Sequence, residues 1–307
     1  MASKNKTVIN HHIAKPYIRF GFTIVELLVV IVVIGILAAI TIVSYSGITS
    51  RASIASIQSD LTNASTILKL DQITNDSFPT TLALANGSKG ITPSQTMDSV
   101  IYIPDNTSNP KNFCLQYRKG TNTYAVDSSS QPSSGVCLQN LVTNGDFSNG
   151  TNGWVVSNGS TSISSQDGVL TMNNDTSAPL IYQMIPQIQL NDIIYVRGRV
   201  LSGNSGSPYV RFAVSDNGYN AKSQAIINSP TINTWYDISG LGSYSTASNT
   251  KFFVQQVNLG TAKTKFLIAL DLTATFGAGN EPTQAQMDTI MNSYPNNWFN
   301  IVAKVNL

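Results

Sequence analysis

The chain has 307 residues, of which 11% are charged, with 18 Lys and Arg against 16 Asp and Glu. Four of the basic residues, Lys4, Lys6, Lys15 and Arg19, fall within residues 1–21, so residues 22–307 carry 14 bases against 16 acids, a balance of −2. That weakly acidic total gives no electrostatic case for nucleic acid, and both histidines, His11 and His12, also lie before Gly21, which denies residues 22–307 any histidine-based nucleophile pair or metal site.

In chain order, a basic leader without acids (residues 1–21) precedes an apolar run over residues 22–43 whose only charged side chain is Glu26. A helix needs about 20 such residues to span a bilayer. The basic flank stays cytoplasmic under the positive-inside rule, so residues after 43 face outward. A carboxylate in hydrocarbon costs roughly 2.5–3.5 kcal/mol and needs a compensating cation. Cleavage after Gly21 would create one at the same depth of a neighbouring copy, the α-amino group of Phe22. An ordinary secretory signal has a shorter apolar region that ends at a small-residue site, whereas here Ala38-Ala39 lies deep inside the run. A plain membrane anchor explains the length but neither Glu26 nor its spacing from Gly21.

Gly21, Phe22 and Glu26 together resemble the prepilin signal of type IV pilins and pseudopilins: a glycine, a phenylalanine, and a glutamate at the fifth position of the mature chain. The resemblance implies that a prepilin peptidase cuts between Gly21 and Phe22 and methylates the new amine. It also implies that Glu26 pairs with that amine on an adjacent subunit, fixing axial register because a slip strands both charges. The partners it implies are the peptidase, other pilin subunits and the assembly machinery, with the cytoplasmic membrane as the site before assembly and a cell-surface filament afterwards.

Beyond the apolar run, Ile54, Ile57, Leu61, Ala64 and Leu68 recur at three- and four-residue steps, a helical stripe. No proline occurs between Phe22 and Phe78, so one helix of about 48 residues, roughly 70 Å long, is expected. Gly35 weakens it by up to about 1 kcal/mol. Turn signals fill residues 75–96, and strands are expected at 100–103, 113–118 and 123–126, the last two joined by a hairpin at 119–122. The only cysteines, Cys114 and Cys137, fall outside the cytoplasm on this topology and are expected to pair across 22 intervening residues. That loop is worth roughly 3 kcal/mol in the chain-entropy picture; free reactive thiols are the alternative. A long helix, a small antiparallel sheet and a terminal disulfide make the α+β architecture that the pilin resemblance implies for residues 22–139.

A second module is expected over residues 140–307, where short apolar runs at 169–172, 180–185, 193–200, 209–215, 235–238, 251–257 and 265–273 alternate with Gly, Asn, Ser and Pro. That rhythm reads as an all-β sandwich or jelly roll. The opening, Asn140-Leu141-Val142-Thr143-Asn144-Gly145-Asp146-Phe147 and then Gly153-Trp154, resembles the start of carbohydrate-binding jelly rolls. The segment Leu270-Asp271-Leu272-Thr273 through Phe276-Gly277-Ala278-Gly279-Asn280-Glu281-Pro282-Thr283 resembles the end of related modules in phage tail and bacterial surface proteins. Several such modules hold a structural Ca²⁺, and Asp146 and Asp271 occupy matching places in the two motifs; a turn hydrogen bond and a cap are the alternative roles.

Period-two alternation places Tyr195, Arg197 and Arg199 opposite Ile194, Val196 and Val200, and Tyr209 and Arg211 opposite Val210 and Phe212. These Tyr and Arg residues are the candidate ligand-binding set if both strands share one face, since sugars stack on rings and Arg forks bind hydroxyls or carboxylates. An ordinary solvated sheet is the other reading. Trp154 and Trp235 read as core or edge packing. Trp298 and Phe299 read as an edge cover after a short helix capped by Thr283 with Gln286. Nine acids over residues 140–307, with no motif pairing two of them, give no support to glycosidase chemistry.

The function expected is therefore a non-enzymatic one. The chain reads as a minor or tip-type type IV pilin that requires no cofactor and displays an adhesive, glycan-binding β-domain. A pseudopilin of a type II secretion or DNA-uptake system is one alternative. A membrane-tethered carbohydrate-active enzyme is the alternative of another class.

Overall fold

The computed structural model describes Gly21 and residues 23–157, 161–174, 180–185, 188–203, 209–216, 219–244, 250–257, 260–299 and 301–306. The chain divides into two compact units, one reaching Ser53 and the other beginning at Ile54. A single helix, α1 (Ile24–Asn75), contributes to both. Its first turn is closed reciprocally. The Glu26 amide donates to Thr23 Oγ1 at 3.2 Å, and the Thr23 amide and hydroxyl each donate to Glu26 Oε2 at 2.8 Å. This is a capping box, the Thr-x-x-Glu arrangement that satisfies orphan donors at a helix start. In the first unit the apolar side chains, Ile24, Leu28, Val32 and Ile36 among them, are exposed.

In the second unit the stripe turns inward. Ile57, Leu61, Ala64 and Leu68 are fully buried against Phe78, Ala85, Phe113, Leu115, Tyr117 and Val126. The chain leaves α1 through a short loop and a left-handed turn, α2 (Ala85–Ser88), at Asn86-Gly87. Four strands follow: β1 (Ser99–Asp105), β2 (Asn112–Lys119), β3 (Asn122–Asp127) and β4 (Ser133–Gln139). β2 and β3 form the expected hairpin, and β4 is a further strand beyond the three expected here. Cys114 and Cys137 are bonded, with Cα atoms 5.7 Å apart, and join β2 to β4 across the end of β3.

The remaining strands are β5 (Val155–Val156), β6 (Thr161–Gln166), β7 (Val169–Asn174), β8 (Leu180–Met184), β9 (Ile193–Ser202), β10 (Tyr209–Ser215), β11 (Ala221–Asn228), β12 (Trp235–Ser243), β13 (Lys251–Gln256), β14 (Gly260–Asp271) and β15 (Val302–Asn306). Between the last two lie α3 (Leu272–Phe276) and α4 (Gln284–Met291). The expected capping box of Thr283 and Gln286 starts α4. All pairings are antiparallel and give three sheets, ordered β1-β2-β3-β4-β15, β11-β10-β13-β8-β5 and β12-β9-β14-β7-β6. The last two form a sandwich whose core includes Phe147, Trp154, Ile194, Val196, Phe212, Phe252 and Leu267. At one edge β12 crosses β11 so closely that a Cβ on Gly240 would overlap the Gln224 carbonyl oxygen.

The expected boundary at 139/140 needs correction. β15 does not stay with residues 140–301 but pairs along β4, from Val302 opposite Gln139 to Asn306 opposite Gly135. At the crossing Leu138 is fully buried and Asn140 is 4% exposed, with Gln139 between them exposed. Asn140 Oδ1 accepts from the amides of Val142 and Ala269, its Nδ2 donates to the Leu267 and Phe299 carbonyls, and its own amide donates to Ile301 O. A buried amide satisfied on all sides fixes the crossing point instead of freeing it.

Candidate functional site

One outer face of the sandwich is roofed by other elements, and the other is open only toward its edges. The outer face of the β9 sheet carries Tyr195, Ile268 and Leu270, and these pack with Val136 and Leu138 of β4, Ala303 and Val305 of β15, and Met287 and Met291 of α4. Alternation correctly put Tyr195 and Arg197 opposite the sandwich core, but a second core covers them. Tyr195 is fully buried and donates to Asp288 Oδ1 at 2.6 Å. Burial, reinforced by that carboxylate, holds the phenol well above its usual range. Arg197 donates to the Asp288 carbonyl at 3.3 Å and to Asn292 Oδ1 at 2.7 Å, and lies 3.6 Å from the Asp288 carboxylate. Both residues therefore clamp α4 and are withdrawn as ligand-binding candidates. Arg199 sits at the rim, 2.9 Å from Asp237 and over the Trp235 ring.

Tyr209 and Arg211 lie in the other sheet, so the two Tyr–Arg strands do not share a face. Their face carries a small buried cluster of its own, Leu180, Ala213 and Phe253, with Lys251 8% and Gln255 9% exposed; Tyr182, Tyr209 and Arg211 are half-buried, and Gln224 and Ile226 on the edge strand are exposed. Across β8, β13, β10 and β11 the register lines up Leu180, Gln255, Arg211 and Ile226 in one row, and Tyr182, Phe253, Ala213 and Gln224 in the next. Arg211 lies over the rings of Tyr209 at 5.4 Å and Phe253 at 5.2 Å. Its Nε donates to Gln255 Oε1 at 2.9 Å and an Nη to Gln224 Oε1 at 3.1 Å. Lys251 Nζ sits 4.7 Å from the Tyr182 ring and 4.3 Å from that of Tyr219, a residue of the β10–β11 turn. The Tyr182 and Tyr219 rings meet edge to face at 5.8 Å.

Sequence reasoning missed Tyr182, Tyr219, Lys251, Phe253 and the two glutamines. The signal was present: Phe252 and Val254 alternate with Lys251, Phe253 and Gln255, as Ile181 does with Tyr182.

Asp146 and Asp271 are not brought together. Asp146 accepts from the amide and hydroxyl of Ser148 and lines a depression with Thr107 and Asn149. Asp271 caps α3 through the Ala274 amide and lines another with Ile101 and Cys137. Burial, with the Asp192 carboxylate beside it, pushes Asp271 up to about 7. Among the described residues no three His, Cys, Asp or Glu side chains converge, and Asp146 and Asp271 each serve a local turn.

At the N-terminus, Phe22 lies outside the described residues, while Gly21 is described and exposed. Thr23, which sequence reasoning passed over, holds the Glu26 carboxylate through the capping box.

Residues 19–42 match the family described as the prokaryotic N-terminal methylation motif. The chain thus carries a type IV prepilin-like signal. No curated protein sequence matches it. Among solved structures it is similar to a protein described as "CBM4 structure and function", at 13% identity over 40% of this chain and 97% of the other, with a TM-score of 0.32. It is also similar to TmCBM61 in complex with β-1,4-galactotriose, at 15% identity over 43% and 97%, with a TM-score of 0.32. The enzymatically active domain of Bacteriophage CBA120 tailspike protein 4 overlaps at 15% identity over 43% of this chain, with a TM-score of 0.34, and this chain covers only 21% of it. The reading of the site rests on this chain's own residues.

Proposed function

We propose that this chain is the precursor of a type IV filament subunit with a structural and adhesive role and no catalytic one. A prepilin peptidase cuts between Gly21 and Phe22 and methylates the new amine. The apolar part of α1 holds the subunit in the cytoplasmic membrane and then packs among other pilin subunits as the assembly machinery builds a cell-surface fibre. The observation that carries this reading is Glu26, the only charge in residues 22–43, placed in the first turn of a helix whose apolar side chains are exposed. In the single chain Thr23 satisfies that carboxylate, and in the fibre the Phe22 amine of a neighbour takes over. Such exposure suits a bilayer or a fibre core, since neither leaves these side chains in water.

The β-sandwich is the displayed part, as a minor or tip-type subunit, and the open face of its β11-β10-β13-β8-β5 sheet binds a glycan. Tyr182, Tyr209 and Tyr219 supply rings for stacking, while Arg211, Gln224 and Gln255 supply hydrogen-bond donors for hydroxyls. Peptide mapping of native material tests processing: an N-methylated Phe22 terminus is expected, and Met1 still attached would refute it. Immunogold microscopy of purified fibres tests assembly, with loss of labelled fibres expected for Glu26→Ala. A glycan array with the full chain in detergent tests display, and silence across the array would remove the adhesive role. The full chain is the proper probe because a fragment starting at residue 141 would strip β15 of its partner β4.

A further inference from the structure

We infer that the open sheet face takes an acidic saccharide, one whose sugar units carry a carboxylate, in preference to a neutral glycan. This rests on the glycan-binding reading above and adds the charge of the ligand.

The face presents two cations, Arg211 and Lys251, on adjacent strands. Lys251 is only 8% exposed, yet its ammonium is flanked by the Tyr182 and Tyr219 rings. Among the described residues, no carboxylate lies within ion-pairing distance of either cation. Elsewhere in the same module Arg197 sits against Asp288, Arg199 against Asp237 and Lys222 against Asp216, while Lys265 lies over the Trp235 and Phe266 rings on the opposite sheet without an ion pair among the described residues. Asp216, the acid that follows β10, also accepts from Asn220. Ring faces attract an ammonium through their quadrupole. They supply no acceptors for its three N–H donors, which are left to water or to a ligand.

The glutamines sharpen the point. Arginine can only donate, so the amide oxygens of Gln255 and Gln224 must face Arg211, as they do. The side-chain groups these residues have left are N–H donors. The middle of the face is therefore rich in donors and poor in acceptors, with rings beside it. A carboxylate-bearing sugar complements that arrangement: its ring stacks on tyrosine, and its carboxylate gains charge-assisted hydrogen bonds from Lys251 or the Arg211 fork.

The test uses the full chain in a detergent without sugar headgroups. Titration calorimetry compares oligogalacturonate with its fully methyl-esterified form, and sialyllactose with lactose. The acidic member of at least one pair is expected to bind about 10-fold more tightly at low salt, with the margin shrinking as salt screens the charges. Lys251→Gln and Arg211→Gln are each expected to reduce that margin several-fold, with unchanged melting curves showing that the fold is intact. Equal affinity for acid and ester overturns the inference while leaving the glycan reading in place, as does a preference that survives both substitutions. Absence of binding to these probes and to a neutral glycan panel overturns both. The wild-type ratio decides the matter even if a substituted chain fails to fold.

Discussion

Replacing Arg197 separates a clamp from a ligand contact. Its guanidinium is 8% exposed and meets the Asp288 carbonyl at 3.3 Å, Asn292 Oδ1 at 2.7 Å and the Asp288 carboxylate at 3.6 Å. Breaking a fully buried ion pair costs about 3–5 kcal/mol because the abandoned charge stays dry. Here the Asp288 side chain is 34% exposed and Asn292 is exposed, so water recovers part of the loss. The cost of Arg197→Ala is then nearer that of hydrogen bonds to a charged group plus lost stem packing, about 2–3 kcal/mol. Arg197→Met keeps the stem against α4 and should recover about 1 kcal/mol of this. At about 2–4 °C per kcal/mol for a unit of this size, thermal melting of the full chain in detergent resolves both steps. Glycan affinity measured well below the melting transition should be unchanged. An Arg197→Met chain that melts like the wild type yet loses glycan binding would refute the reasoning.

Gly240→Ala should destabilise by about 2–3 kcal/mol, read from denaturant midpoints, because the new methyl group meets the backbone of β11 and cannot be absorbed by a side-chain rotation. Removing the Cys114–Cys137 bond by a double alanine substitution should cost about 3 kcal/mol, and adding reductant should shift only the wild-type melt. Asp271 binds its proton more tightly folded, at about 7, than its ordinary 3.8. Its contribution to stability is therefore full below pH 3.8 and lost as pH rises through 7. For this part-exposed group we expect about 1 kcal/mol after screening. Asp271→Asn, which keeps the cap, should flatten that slope in melts run across the window. Chelator should leave the melting temperature of the wild type unchanged, and a drop of several degrees would restore a structural cation.

Much of the architecture was legible because local chemistry dictates it. The stripe from Ile57 to Leu68 has one periodicity and no competing breaker, so the helix and its buried face followed directly. The Thr283–Gln286 capping box is contained within four residues, as is the Thr23–Glu26 box that went unread beside a more conspicuous charge. β4 was harder to see, since Ser133 and Ser134 precede Gly135 and its strand character comes from neighbours on both sides, β3 and β15.

The prepilin-like signal, the long helix, the cysteine pairing and the alternation along β9 and β10 could be read from the chain alone. Those properties depend on residues close in the chain or on a count of two. Which sheet face is roofed by a second core was settled by contacts across the fold. Tyr195 and Tyr209 obey the same alternation, yet one lies fully buried under α4 while the other remains on the open face. The difference arises because α4 and β15, far along the chain, fold back over one sheet and not over the other. Periodicity specifies a direction for a side chain, and what stands in that direction depends on contacts between residues a hundred positions apart.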